Sequence, residues 1–235
     1  MRFCSQMDSG LSVQGGIKIL YEDNHVIVCI KPAGVLSQSD GSGSPDMLTL
    51  LKKYIREKYD KPGEVYLGLV HRLDRPVSGV MVFARTSKAA SRLSEQIRSR
   101  KVEKLYRCVV RGILNGTGRL ENYISKDSEK NKVKVADFEK PGYKASCLDY
   151  RSIGSKDGLT LVEVRLKTGR THQIRAQMAH NGYPVVGDQK YGQKDERSKD
   201  IALQSFKLTF EHPVKRELIT FEAPMSEGFP WKLFA

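Results

Sequence analysis

The chain has 235 residues, long enough for one substantial domain or two small ones with a packed core. Its 39% hydrophobic and 29% charged residues exclude a disordered chain, and no apolar run approaches the roughly 18 residues of a membrane span. Forty lysines and arginines against 27 aspartates and glutamates leave a formal net charge of +13. That excess points to a polyanionic partner, because phosphate neutralisation with counterion release gives sequence-independent affinity.

The opening "MRFCSQMDSGLSVQGG" is polar and has no apolar leader-like stretch, so residues 1–16 are expected to be a flexible arm before one domain over 17–235. Two β-rich runs follow, "IKILYED" (17–23) and "HVIVCIKPAG" (25–34), joined at the turn pair Asp23-Asn24. "QSDGSGSPD" (38–46) is a loop leading into a helix, with Ser44 as the expected cap and Pro45 at the first helical position. In that helix Met47, Leu50, Leu51, Tyr54 and Ile55 share one apolar stripe, while Lys52, Lys53, Arg56 and Lys58 lie largely off it. "EVYLGLVHRLD" (64–74) and "SGVMVFART" (78–86) read as strands, and "SKAASRLSEQIRSRK" (87–101) as a helix facing inward through Ala90, Leu93 and Ile97.

Further strands are expected at 104–112, near 118–127, at 143–153 and at 159–169, the last two joined by a hairpin loop over 154–158. "RTHQIRAQMAHNG" (170–182) is a short helix with Thr171 near its cap and Gly182 as its stop. The chain closes with strands at 201–212 and 217–224. Strands outnumber helices without regular alternation. The expected class is α+β, with a mixed, mostly antiparallel central sheet and flanking helices. The cysteines Cys4, Cys29, Cys108 and Cys147 are far apart and form no CxxC pair, which suits a reducing cytosol and a cytoplasmic protein.

Within 67–74 the period of two puts Leu67, Leu69, His71 and Leu73 on one face, and Gly68, Val70, Arg72 and Asp74 on the other. His71 is then a core histidine. Arg72 and Asp74 point together to the opposite side near the exit of the strand. Taken alone, that is an ion pair at a turn. In "LKTGRTHQIRAQMAHNGYPVVGD" (166–188) a glycine turn opens a helix, and exposed N–H groups with the helix dipole suit an anion. Arg170 lies in the turn, and Arg175 sits about one helical turn beyond Thr171. In "KLYRCVV" (104–110) Lys104, Tyr106 and Cys108 alternate with Leu105, Arg107 and Val109, so Tyr106 is either a core tyrosine or a stacking platform.

The blocks "HRLDRPVSGVMVFART", "KLYRCVVRG" and "LKTGRTHQIRAQMAHNGYPVVGDQKYG", flanked by "ILYEDNHVIVCIKPAGVLS" and "FKLTFEHPVKRELITFEAPM", resemble the RluA-type pseudouridine synthases in the expected order over residues 17–235. The resemblance implies that Asp74 is the catalytic carboxylate, that Tyr106 contacts the target uracil and that a motif arginine pairs with Asp74. Arg175 is the choice for that pairing, with Arg170 as the alternative or as a phosphate contact. Arg72 would fill the space of the flipped nucleotide, and Lys104, Arg107 and Thr171 would contact the RNA. The family usually has Thr where this chain has Val77, which removes a hydroxyl from the loop. Larger members carry a small N-terminal RNA-binding domain, and the expectation here is a catalytic domain alone.

Isomerising uridine breaks the C1′–N1 bond, turns the base and rejoins it through C5, so no cofactor and no metal are expected. The partner implied is structured rRNA or tRNA, "HRLDRP" and the missing extra domain leaning towards tRNA, with no obligate protein partner and no membrane. A carboxylate stabilises or captures the cationic sugar, as in glycosidases, and a neighbouring arginine keeps such a carboxylate ionised. The sequence leaves open whether Asp74 attacks C1′ or instead abstracts a sugar proton. The base must be flipped from its stack to be reached. Two rivals remain. A non-catalytic basic RNA-binding protein would not need Asp74. A base-releasing glycosylase would need a second carboxylate, for which Asp188 is the nearest candidate, although it reads as bracing the loop after the helix. The histidines His71, His172 and His180 match no metal-ligand spacing.

Overall fold

The computed structural model describes residues 12–13, 16–127, 132–193, 195, 197–198 and 200–235. In chain order the strands and helices are β1 (Ser12–Val13), β2 (Ile17–Glu22), β3 (Val26–Lys31), α1 (Met47–Lys58), β4 (Gly68–Leu69), β5 (Ser78–Ala84), α2 (Ser87–Arg98), β6 (Glu103–Arg111), β7 (Thr117–Asp127), β8 (Lys132–Ala136), β9 (Lys144–Lys156), β10 (Leu159–Leu166), α3 (Gln173–His180), β11 (Leu203–Glu211) and β12 (Leu218–Glu222). The class is α+β. Every strand-to-strand register defined here is antiparallel, and an isolated parallel bridge joins Leu36 to Asp46. Among the described residues no helix is long and apolar enough to cross a membrane. The chain forms two compact units, Met1–Lys104 with Ser205–Ala223, and Leu105–Gln204 with Pro224–Ala235.

In the first unit the strand order is β1-β2-β3-β5-β11, with β4 pairing β5 and β12 pairing β11. The arm expected over 1–16 lies mostly outside the described residues, but Ser12 and Val13 pair with Lys18 and Ile17. Asp23 makes the expected turn by accepting the N–H groups of His25 and Val26 at 2.8 and 2.9 Å. Val26, Val28, Val80, Val82, Leu208 and Phe210 form a core on which Ala89 and Leu93 of α2 are packed. Gly79 has φ +128°, and an added Cβ would collide with the backbone of Ser205, so only glycine lets β11 approach β5 here.

Three local expectations are corrected. The cap of α1 is Asp46, not Ser44: its carboxylate accepts Thr49 N–H at 3.1 Å and Thr49 Oγ1–H at 2.7 Å. Pro45 precedes this cap, because Pro45 O accepts Leu36 N–H and keeps the chain extended there. The inner stripe of α2 is Ala89, Leu93 and Gln96, with Ala90 and Ile97 only half-buried. Gln96 is inside because its amide brackets the backbone of Glu211, donating to its C=O at 2.8 Å and accepting its N–H at 3.0 Å. The strand expected over 64–74 is a ladder only at Gly68–Leu69. Beyond it, the N–H and C=O of Leu73 are met by the Ser37 side chain, as described below.

His212 is buried. Its Nδ1 accepts the N–H groups of Val214 and Lys215 at 3.2 and 2.9 Å, which leaves Nε2–H to donate to Asp23 at 2.9 Å. Desolvation lowers its pKa although Asp23 opposes this, and desolvation with the charge of Lys104 holds buried His71 well below the ordinary value. Both rings are therefore neutral in the fold, while the unfolded chain protonates them near pH 6.5. A depressed folded pKa means stability that is full above about 6.5 and lost as the pH falls below it. Urea midpoints measured from pH 7.5 down to 5 are expected to fall below about 6.5; a flat profile would contradict the neutral assignment.

The second unit has the order β6-β10-β9-β7-β8. The hairpin between β9 and β10 is tighter than expected: the strands run on to Lys156 and Leu159, and only Asp157 and Gly158 turn, at φ +53° and +73°. Two consecutive left-handed residues make the type I′ turn whose twist matches its strands. Residues Ile124, Val133 and Ala176 pack α3 on β7 and β8. The stop of α3 is as expected. Gly182, at φ +86°, donates to Ala179 O, and Tyr183 N–H returns to Met178 O at 2.9 Å, which is a Schellman closure.

Candidate active site

In the first unit Asp74 ends the extended segment 64–74. The alternation read from sequence holds in part: Leu67, His71 and Leu73 are buried and Arg72 is exposed. Leu69, where the segment forms its short ladder, is only half-buried, as are Gly68, Val70 and Asp74. The period of two comes from the extended backbone and needs no ladder. His71 Nε2 accepts Val82 N–H at 3.1 Å, tying the segment to β5. Ser37 then holds Leu73 from both sides, its Oγ donating to Leu73 O at 2.8 Å and accepting Leu73 N–H at 3.1 Å.

The residue after Asp74 is held as firmly. Arg75 O accepts Gly34 N–H at 2.9 Å and Lys31 Nζ at 3.0 Å, while Arg75 Nε donates to Gly34 O at 3.0 Å. Lys31 is fully buried and also donates to Pro32 O at 2.9 Å and Val35 O at 2.6 Å. Three carbonyl acceptors match the three N–H bonds of an ammonium. Burial nevertheless pulls Lys31 down to about 7, against the attraction of Asp74. Val77 N–H closes the turn on Asp74 O at 3.0 Å, and the Val77 side chain is buried, so the position usually held by Thr is filled here by apolar packing. Both neighbours of Asp74 are thus fixed to residues 31–37. Sequence reasoning missed Lys31 and Ser37; the available signal was a lysine closing the apolar run "VIVCIK" just before Pro32.

Lys104 is half-buried, and desolvation lowers it to about 8. In the second unit Tyr106 is 7% exposed on β6, opposite Val164 of β10, with half-buried Arg107 on the other face opposite Glu163. Arg175 is one of the consecutive buried residues Gln173–Met178 of α3. Its Nε and Nη2 each donate to one carboxylate oxygen of Asp188 at 2.8 Å, and the guanidinium lies 5.3 Å from the centre of the Tyr191 ring. Asp188 also accepts the N–H groups of Lys190 and Tyr191 at 2.9 and 3.2 Å, so it braces the loop after the helix as expected. Burial pushes its carboxyl up, but Arg175 and those two N–H groups outweigh it and hold the pKa below the ordinary range.

The start of α3 differs from expectation. Thr171 is exposed and does not cap; His172 holds the cap position at φ +50° without a side-chain cap bond. Gln173 reaches back instead, its Oε1 accepting Arg170 N–H at 3.0 Å and Thr168 Oγ1–H at 2.8 Å. Arg170 is exposed, with Nε donating to Ala145 O at 3.1 Å. His172 Nδ1 meets Tyr191 Oη at 2.8 Å and His180 Nε2 meets Asp137 at 2.8 Å. Among the described residues no group of three or more His, Cys, Asp or Glu is placed to hold a metal ion.

A family model described as RNA pseudouridylate synthase matches residues 25–180. The ribosomal large subunit pseudouridine synthase D of Pseudomonas aeruginosa is 32% identical over 233 residues, which cover 92% of this chain and 71% of that protein. The protein of the same name from Neisseria meningitidis serogroup A is 34% identical over 224 residues, 90% of this chain but only 59% of that protein. Among solved structures, human RNA pseudouridylate synthase domain containing 4 shares the fold with a TM-score of 0.74 at 21% identity, over 89% of this chain and 88% of that one.

Proposed function

The chain belongs to the RNA pseudouridylate synthase family, and we propose that it isomerises uridine in structured RNA with Asp74 as the reacting carboxylate and residues 17–235 as the catalytic region. The observation that carries this reading is the double clamp on the Asp74 turn. A carboxylate whose two chain neighbours are both fixed to residues 31–37 is pre-positioned, and pre-positioning is what a reaction at a single sugar carbon requires. In the proposed reaction the C1′–N1 bond breaks, Asp74 stabilises or captures C1′, the uracil turns, and C5 bonds to C1′. Any C1′–Asp74 bond breaks as C5 bonds to C1′, and the proton on C5 leaves to Tyr106 or Asp74 directly or through water. N1 ends with a proton taken from solvent, so the product is an isomer of the substrate.

In this reading Tyr106 contacts the flipped uracil and Arg72 occupies the vacated position. The arginine partner of Asp74 is Arg175, whose Nε and Nη2 are already engaged by Asp188, or else Arg170. Arg170, Lys104, Arg107 and Thr171 hold phosphates. The names of the relatives put large-subunit ribosomal RNA ahead of the tRNA towards which "HRLDRP" leans. A non-catalytic RNA-binding protein is the weaker reading, since it gives the clamped turn no task. The test is release of tritium to water from RNA labelled at uracil C5, taken from cells lacking the protein. Release accompanied by pseudouridine in the digested RNA is the expected result; RNA binding without release from either ribosomal RNA or tRNA would overturn the proposal.

A further inference from the structure

We infer that the loop between β8 and β9, residues 137–143, docks the RNA by stacking one unpaired base on Phe138 while Lys140, Lys144 and Arg170 neutralise the phosphates beside it. The inference rests on the RNA-modifying reading above and adds a surface to it. Phe138 is 64% exposed, more than any other large hydrophobic side chain among the described residues. Lys140 Nζ lies 4.6 Å from the centre of its ring. An ammonium on an aromatic face satisfies the ring's quadrupole, and at this exposure it covers one face at most.

The loop is held at both ends. Asp137 accepts Asn122 Nδ2–H at 3.0 Å and meets His180 Nε2 at 2.8 Å. Tyr143 N–H returns to Lys140 O at 3.0 Å over Pro141-Gly142, with Gly142 at φ +80°. Phe138 is therefore presented by a pinned turn, so little ordering entropy is lost when a partner arrives. Its surroundings are cationic: Lys140 and Lys144 are exposed, and Arg170 joins them by donating to Ala145 O, one residue from Lys144. Asp137 and Glu139 are the acidic residues within the loop.

A stacking ring among cations is what an unstacked base and its phosphates recognise. A protein partner would need a wider apolar patch. The exposed neighbours Glu139, Lys140, Pro141, Gly142 and Lys144 provide none. The test compares wild type, Phe138→Ala, Phe138→Trp and the pair Lys140→Gln with Lys144→Gln. Binding of a fluorescent single-stranded oligouridylate is followed over a range of salt, and tritium release from large-subunit ribosomal RNA is measured on the same preparations. Phe138→Ala is expected to weaken oligonucleotide binding about fivefold or more and to raise KM for the ribosomal RNA, with Phe138→Trp restoring both. The double lysine variant is expected to lower the salt slope by about two. Oligonucleotide binding by Phe138→Ala equal to wild type overturns the inference. If no preparation, wild type included, releases tritium while Phe138→Ala still weakens binding, the docking surface stands and the enzymatic reading fails.

Discussion

Replacing Asp74 by asparagine is expected to reduce tritium release and pseudouridine formation by more than about a thousandfold, while RNA affinity changes only a few-fold. Asparagine has nearly the shape of aspartate but neither its charge nor its nucleophilicity, so the substitution separates chemistry from folding. The bonds that fix the turn come from the backbone of Leu73 and Arg75, which the variant keeps. The variant loses the attraction of Asp74 for buried Lys31, so its urea midpoint is expected to fall modestly while the chain still folds with those bonds in place. Asp74→Glu keeps the charge but moves it by a methylene, and it is expected to be nearly as inactive, because a small misplacement near the reacting atoms costs orders of magnitude. Activity of Asp74→Asn within tenfold of wild type would exclude Asp74 from the reaction.

Asp188→Ala is expected to destabilise the protein by about 3–5 kcal/mol, the usual cost of removing one partner of a buried ion pair. The Asp188 side chain is fully buried and that of Arg175 is 5% exposed, so water cannot replace the lost carboxylate. Two charge-assisted bonds to Arg175 go, together with the acceptor for Lys190 and Tyr191 N–H. Asp188→Asn keeps acceptor capacity and should lose less. The sign with pH follows from the depressed carboxyl: the contribution is complete above its unfolded value near 3.9 and is lost as the pH falls through the lower folded value. Urea denaturation of the three proteins at neutral pH checks this, and a loss below about 1 kcal/mol for Asp188→Ala would mean that the pair contributes no more than an exposed one.

Much of the fold was legible because local rules and tertiary packing agree there. The Asp23-Asn24 turn, the apolar stripe of α1 and the Gly182 stop each follow from a short-range requirement that nothing distant overrides. Of the expected inward set, Leu67, His71 and Leu73 are buried and Leu69 only half-buried. The three hold for a related reason, since an extended chain alternates its side chains whether or not a neighbouring strand pairs with it. The same cause explains the error made beside it. Hydrogen-bond partners of a backbone cannot be read from its own pattern, and at Leu73 the Ser37 hydroxyl supplies what a strand would have supplied elsewhere.

The sequence by itself determined the α+β class, the faces of the Asp74 segment and the blocks that place the chain in its family, all of which depend on spacing along the chain. Tertiary structure alone decided which groups hold those blocks. Gln96 is buried because Glu211, far away in sequence, offers both of its backbone groups. Asp46 displaces Ser44 as a cap because Leu36 fixes the chain just before it. Lys31 is tolerated in the interior because three carbonyls converge on its ammonium, and Asp188 remains ionised although fully buried because Arg175 meets it at both oxygens. Each of these decisions turns on partners brought together only by folding, because burying a polar or charged group is favourable only where such partners are found.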